Sequence, residues 1–240
     1  MKGPQRYLRV PVIATAGPKR HSREMKTLCA LFSVAALLAN AKVTAADEAS
    51  ARQLADAVWK AAGGENWPEV KTIDFTFAVE KEGKTAASVE HHWDVAAWTD
   101  RVKWKGKDVT VNLMNPASDE DAKTAYARWV NDSYWLLAPL KLKDAGLNLS
   151  DEGTKEIDGA KREVLHLSFA KVGLTPNDQY NLYIDPATKL VTAWDYMPEP
   201  GKSMRATWTG YEKSGGLTLA TDHQMGPARI RILNLKVTTK

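Results

Sequence analysis

Apolar and polar residues alternate with a period of two along most of this chain. In residues 72–80, Ile73, Phe75, Phe77 and Val79 share one face and Thr72, Asp74, Thr76 and Glu80 the other, which predicts a half-buried strand. The same test predicts strands at 88–95, 101–105 and 108–114, each bounded by Gly, Asp or Asn. A second set follows at 154–157, 160–170, 179–185, 190–196, 203–211, 217–222 and 229–237, with Asp158-Gly159 as a two-residue hairpin turn. Two regions break the alternation. Residues 46–62 place Leu54, Ala57, Val58 and Ala61 at helical spacing and end at Gly63-Gly64. A second helical region begins at Ser118-Asp119-Glu120-Asp121, with Ala122, Ala125, Tyr126 and Trp129 along one side. Residues 129–142, WVNDSYWLLAPLKL, are then densely apolar. There Asn131-Asp132-Ser133 supplies cap chemistry for a short separate helix that Pro139 stops.

About ten strands and two helical regions predict a mainly β (α+β) fold. The expected form is a single antiparallel curved sheet, a half-open β-barrel, with an N-terminal helix and a central helical plug. The plug carries Trp129 and Trp135 toward the concave side; the plainer alternative is a helix that only closes the core.

Charge changes the picture of the N-terminus. Met25-Lys26, the apolar run 28–38 and the small residues 39–46 read as a secretory signal with cleavage near Ala45 or Ala46, leaving 1–24 as a basic extension or a misplaced start. Residues 47–240 are then one exported domain, periplasmic or secreted. Residues 1–46 hold eight of the 33 bases and one of the 29 acids, so 25 bases face 28 acids from Asp47 onward, a balance of −3. Nothing in that field draws the domain to nucleic acid. Cys29 lies in the leader, so the exported part has no disulfide.

The order of elements, with residues 129–142, YNLYIDPATKLVTAWDY at 180–196 and YEKSGGLTLATDH at 211–223, resembles the periplasmic lipoprotein-carrier superfamily, the LolA-like and LppX-like half-barrels, and within it a secreted branch. The resemblance covers most of residues 47–240 in architecture. It implies an apolar cavity for acyl chains, a lipid, acylated peptide or lipoprotein as partner, and a transient membrane-associated partner for a monomer. It transfers no functional residue.

All nine tryptophans lie from Trp59 onward. An aromatic-lined cavity would account for them, with Phe75, Phe77, Trp93, Trp129 and Trp135 as candidate lining; core packing is the rival explanation. His91 and His92 are adjacent on a strand and point to opposite faces, a poor metal pair. His166 and His223 stand alone. Glu65, Asp74, Glu90 and Asp94 are carboxylates at no fixed separation. Ser133 and Ser168 lack a Gly-x-Ser-x-Gly setting, and Gly63-Gly64 and Gly215-Gly216 read as turns. Arg205, Arg229 and Arg231 on late strands are expected to be solvated or paired across the sheet. No catalytic residue, metal or cofactor is therefore expected. The expected function is non-enzymatic binding of a lipid or acylated ligand. The alternatives are an envelope interaction domain with a filled core, or a carbohydrate-binding module.

Overall fold

The computed structural model describes residues 45–170 and 174–240. The basic extension and almost all of the predicted leader, Cys29 included, lie outside the described residues. Helix α1 (Ala45–Ala61) opens the described chain and buries Ala51, Leu54, Ala55 and Val58. Its end is fixed by a close approach. A Cβ on Gly63 would stand 2.3 Å from the Gly216 carbonyl oxygen, and Gly63 has φ +82°. Only glycine fits there. Asn66, in the following 3-10 turn (Gly64–Glu69), donates to that same carbonyl at 2.8 Å.

The first strands are β1 (Val70–Lys81), β2 (Lys84–Asp94), β3 (Thr99–Trp104) and β4 (Lys107–Asn112). Helix α2 (Glu120–Leu137) and a 3-10 turn (Ala138–Lys141) follow. Then come β5 (Leu147–Ile157), β6 (Ala160–Phe169), β7 (Gln179–Ile184), β8 (Val191–Met197), β9 (Met204–Thr207), β10 (Thr209–Ser214), β11 (Leu217–Met225) and β12 (Ala228–Thr239). The Asp158-Gly159 hairpin forms as expected, with φ of 52° and 76° at its two turn residues.

The strands form two antiparallel sheets, β10-β11-β12-β1-β2-β3-β4 and β5-β6-β7-β8-β9. The run expected as one strand at 203–211 is divided at Trp208: β9 pairs with β8 and β10 with β11. The sheets meet along this line, where Gln224 N–H donates to Thr207 Oγ1 at 2.9 Å. The expected single curved sheet is thus creased at one residue, and the barrel does not close. The edges away from the crease are β4 and β5, and α2 lies in the connection between them.

Alternation dictates what lies inside. In register, Ile73 faces Trp93, Phe75 faces His91 and Phe77 faces Val89, and these side chains are buried. Together with Val102, Val111, Leu219, Ile230 and Ile232, all of these but His91 form the first apolar cluster. The second gathers Leu165, Leu167, Tyr180, Leu182, Trp194, Trp208 and the buried side of α1. Helix α2 and the turn after it belong to both: Trp129, Val130, Leu136 and Leu137 enter the first, and Tyr134 and, from the turn, Ala138 the second.

The predicted short helix starting at residues 131–133 does not exist as a separate element. The cap is Asp119, whose Oδ1 accepts from Ala122 N–H at 2.9 Å, and α2 runs unbroken past Asp132. Helix propensity and burial outweigh the local cap signal because Asp132 finds a better partner.

Candidate functional site

That partner is His91. On β2, His91 shares the inward face with Val89 and Trp93, so its imidazole enters the first cluster. Its Nδ1 lies 2.7 Å from Asp100 Oδ2 of β3, and its Nε2 3.1 Å from Asp132 Oδ2 of α2. All three side chains are buried. Asn131 Nδ2 donates to the other Asp132 oxygen at 2.8 Å, and Phe75 stacks on the imidazole at 4.5 Å between centroids, 9° from parallel. Burial by itself lowers the His91 pKa, but the two carboxylates reverse this and raise it to about 9. The ring is an imidazolium at neutral pH, and both nitrogens donate. No lone pair remains to ligate a metal or abstract a proton. The trio is a charged clasp between helix and sheet.

The neighbouring His92 faces outward and pairs with Asp74. Glu90 reaches toward Lys103 at 3.5 Å, and Asp94 Oδ1 accepts from Ala97 N–H at 2.8 Å, so these carboxylates serve separate local contacts. Among the described residues no cluster of His, Cys, Asp and Glu could hold a metal ion. Arg229 pairs with Asp222 across the sheet, and Arg205 holds Asp195 at 2.8 Å, as pairing across the sheet predicts.

The five candidate lining residues do come together around α2. Trp93 and Trp129 meet edge to face at 5.3 Å, both fully buried, with Phe75 and Phe77 in the same cluster. Trp135 is only half-buried and packs against both clusters. Its indole lies 4.7 Å from Trp194 and 5.4 Å from His223. From there aromatic contact continues through Trp194–Trp208 at 5.0 Å, Tyr180–Trp194 at 5.0 Å and Tyr180–Tyr196 at 5.1 Å. His223 is sealed among these rings, its Nδ1–H donating to the Thr207 carbonyl at 3.1 Å. Burial pushes its pKa down to about 4, so this imidazole is neutral.

Beyond the C-terminal end of α2 lies a pair that sequence reasoning missed. Lys141 Nζ donates to Asp144 Oδ2 at 3.1 Å, and both are nearly or wholly buried. Burial lowers the Lys141 pKa and pushes Asp144 up to about 6 against the pull of the ammonium. The signal was available: a lysine between Leu140 and Leu142 in an apolar run, with an acid three residues on. Asp144 borders a cleft of about 360 Å³ between α1 and β5, floored by Ala55, Leu142, Leu147 and Leu149 and rimmed by Arg52 and Lys143. Leu142, Leu147 and Leu149 also pack on the second cluster, so the floor of the cleft is the outer face of that cluster.

No family model and no curated protein matches the chain. Solved structures do. A DUF1329 family protein from Desulfovibrio piger is similar at 12% identity and a TM-score of 0.48, over 78% of this chain and 92% of that one. A LolA superfamily protein from Nitrosomonas europaea is similar at 8% identity and a TM-score of 0.44, over 78% and 94%. An outer membrane lipoprotein-sorting protein domain from Vibrio parahaemolyticus is similar at 9% identity and a TM-score of 0.43, over 77% and 94%.

Proposed function

We propose that residues 47–240 are an exported, non-enzymatic binding protein that takes a lipid or acylated ligand between α2 and the two sheets. One observation carries this reading: the wall across the open side of the half-barrel is helical, α2 on the first sheet and α1 on the second, held to the sheets by side chains rather than by a backbone ladder. A helix so held can be shifted without unpairing a strand. Phe75, Phe77, Trp93, Trp129 and Trp135 then line the space it leaves, and the leucine-floored cleft beside Asp144 is the way in. Burying methylenes is worth about 0.8 kcal/mol each, so about ten give ~8 kcal/mol gross. Association costs of ~4–15 kcal/mol offset much of that, and micromolar affinity is expected.

A second reading has its own observation. Trp93, Trp129, Trp194 and Trp208 are each almost fully buried against other rings, which suits an interaction domain whose core is permanently filled. The sugar-binding alternative is disfavoured, since none of the nine tryptophans is among the exposed residues. Titration with a fluorescent fatty acid separates the two readings that remain. Saturation near one ligand per chain, weakened more by Trp129→Ala or Trp135→Ala than by Trp67→Ala, supports the carrier. No saturable binding, together with no lipid co-purifying from the native envelope, leaves the filled-core domain.

A further inference from the structure

Strand β2 is longer than the neighbour that covers it. It pairs with β1 along nearly its whole length, yet with β3 only from Glu90 to Asp94. At Lys105-Gly106 the chain turns away into β4, with φ of 45° and 79°. The β3 side of residues 84–89 therefore has no strand partner among the described residues. Successive backbone groups of a strand point alternately to its two sides, so this stretch of about 20 Å offers unpaired donors and acceptors.

Beside that edge lies a groove of about 310 Å³ whose apolar lining includes Ala87, Val89 and Trp104. Lys105 and Arg128 stand on its walls, Arg128 reaching in from α2, and Lys84 begins the open edge. The side chains of Lys84, Lys105 and Arg128 form no ion pair or hydrogen bond among the described residues. Most other basic side chains among the described residues are in ion pairs. Three unpaired cations around one open strand edge form a distinct surface.

We propose that this edge docks an extended acidic peptide segment of a partner protein, which adds a strand to β2 in line with β3. Backbone hydrogen bonds supply the pairing, an inward apolar side chain rests on Trp104 and Val89, and flanking carboxylates meet Lys84, Lys105 and Arg128. A second copy of this chain is a poor occupant, because edge-to-edge pairing would set these cations against their own copies. The site lies away from the leucine-floored cleft and does not depend on acyl binding.

The probe is a fluorescein-labelled alternating valine–glutamate peptide of about ten residues, read by anisotropy, with amide hydrogen exchange of residues 84–89 as the map. Expected are saturable binding, slowed exchange in that stretch, and at least tenfold weaker binding to Arg128→Glu and to Lys84→Glu, both at solvent-accessible positions. A peptide N-methylated on alternate residues keeps its charges and should not bind. Equal binding of the methylated peptide would reduce the surface to a charge patch and overturn the proposal. So would the absence of binding, or protection appearing elsewhere than on β2.

Discussion

One turn of α2 separates two opposite treatments of the same side chain. At Asp132 the helix meets His91, charged and held between two carboxylates. At Trp135 it meets His223, neutral and enclosed by indoles. Both imidazoles are buried, yet one has its pKa raised to about 9 and the other lowered to about 4. Burial opposes charge in both places, and what differs is the company. The first sheet and α2 each supply one buried carboxylate, Asp100 and Asp132, to keep a proton on His91, whereas His223, on β11 of the same sheet, meets only the Thr207 carbonyl of the second. The helix is therefore clasped by charge on one sheet and by aromatic surface alone on the other. If α2 moves to admit a ligand, it should part from the second sheet first and pivot on the clasp.

The comparison is broken most severely by removing a member of the clasp. Asp132→Ala leaves the His91 cation with one partner in a dry site and should cost ~3–5 kcal/mol. Trp129→Ala, beside it, should cost a similar ~3–5 kcal/mol by opening a cavity. Urea melts check both. A loss below about 1 kcal/mol for Asp132→Ala would show that the buried trio is dispensable.

The two histidines should next give stability profiles of opposite slope. Folded His91 keeps its proton to about 9 against 6.5 for a free side chain, so its contribution is complete below 6.5 and fades as pH rises through 9. His223 behaves in reverse. Its folded pKa near 4 means that the unfolded chain takes up the proton first, and stability falls as pH drops from 6.5 toward 4. Each limb is worth on the order of 3 kcal/mol. Asp144, pushed up to about 6, partly masks the acid limb, because its protonation favours the folded state. The comparison is therefore read as differences: His91→Gln should remove the alkaline limb alone and His223→Gln the acid limb alone. Identical slopes in both variants and the parent chain would erase the distinction.

Trp135 sharpens the contrast at smaller scale. Its indole is half-buried, so Trp135→Ala should cost about 2 kcal/mol, less than its fully buried neighbour Trp129. The same change should speed amide exchange at the C-terminal end of α2 more than around Asp132. Uniform acceleration along the helix would contradict a pivot.

Much of this was legible in the sequence, for a physical reason. A half-buried strand writes its orientation into every second residue, so the inward faces of β1 and β2 could be read directly, His91 included. An imidazole between Val89 and Trp93 on an apolar face required a partner, but strand parity cannot say which one. Asp100 is supplied by the next strand and Asp132 by a helix 41 residues away. The crease at Trp208 was invisible because alternation continues across it, and only pairing reveals the change of sheet. The early half of β5 was missed because its pairing register shifts between Asp151 and Thr154, beside Gly153, which interrupts the pattern. The gathering of Phe75, Phe77, Trp93 and Trp129 into one buried cluster follows because large rings cannot be left in water, whereas the Lys141–Asp144 pair lies at a turn where neither strand parity nor helical spacing assigns an inward side.

The smallest expected effect tests why Asp132 was misread. Asn131-Asp132-Ser133 has the composition of a helix start, and Asp119 has it too, but only Asp119 stands where backbone N–H groups lack partners. Asp119→Ala removes one side-chain acceptor from a partly exposed helix end and should cost about 1 kcal/mol. Asp119→Asn or Asp119→Ser should restore most of the loss, because either side chain can accept from Ala122 N–H, whereas Asp132→Ser should not recover, since a hydroxyl cannot balance the His91 cation. Equal rescue at both positions would mean that Asp132 acts as a polar filler rather than as the counter-charge that clasps α2 to the first sheet.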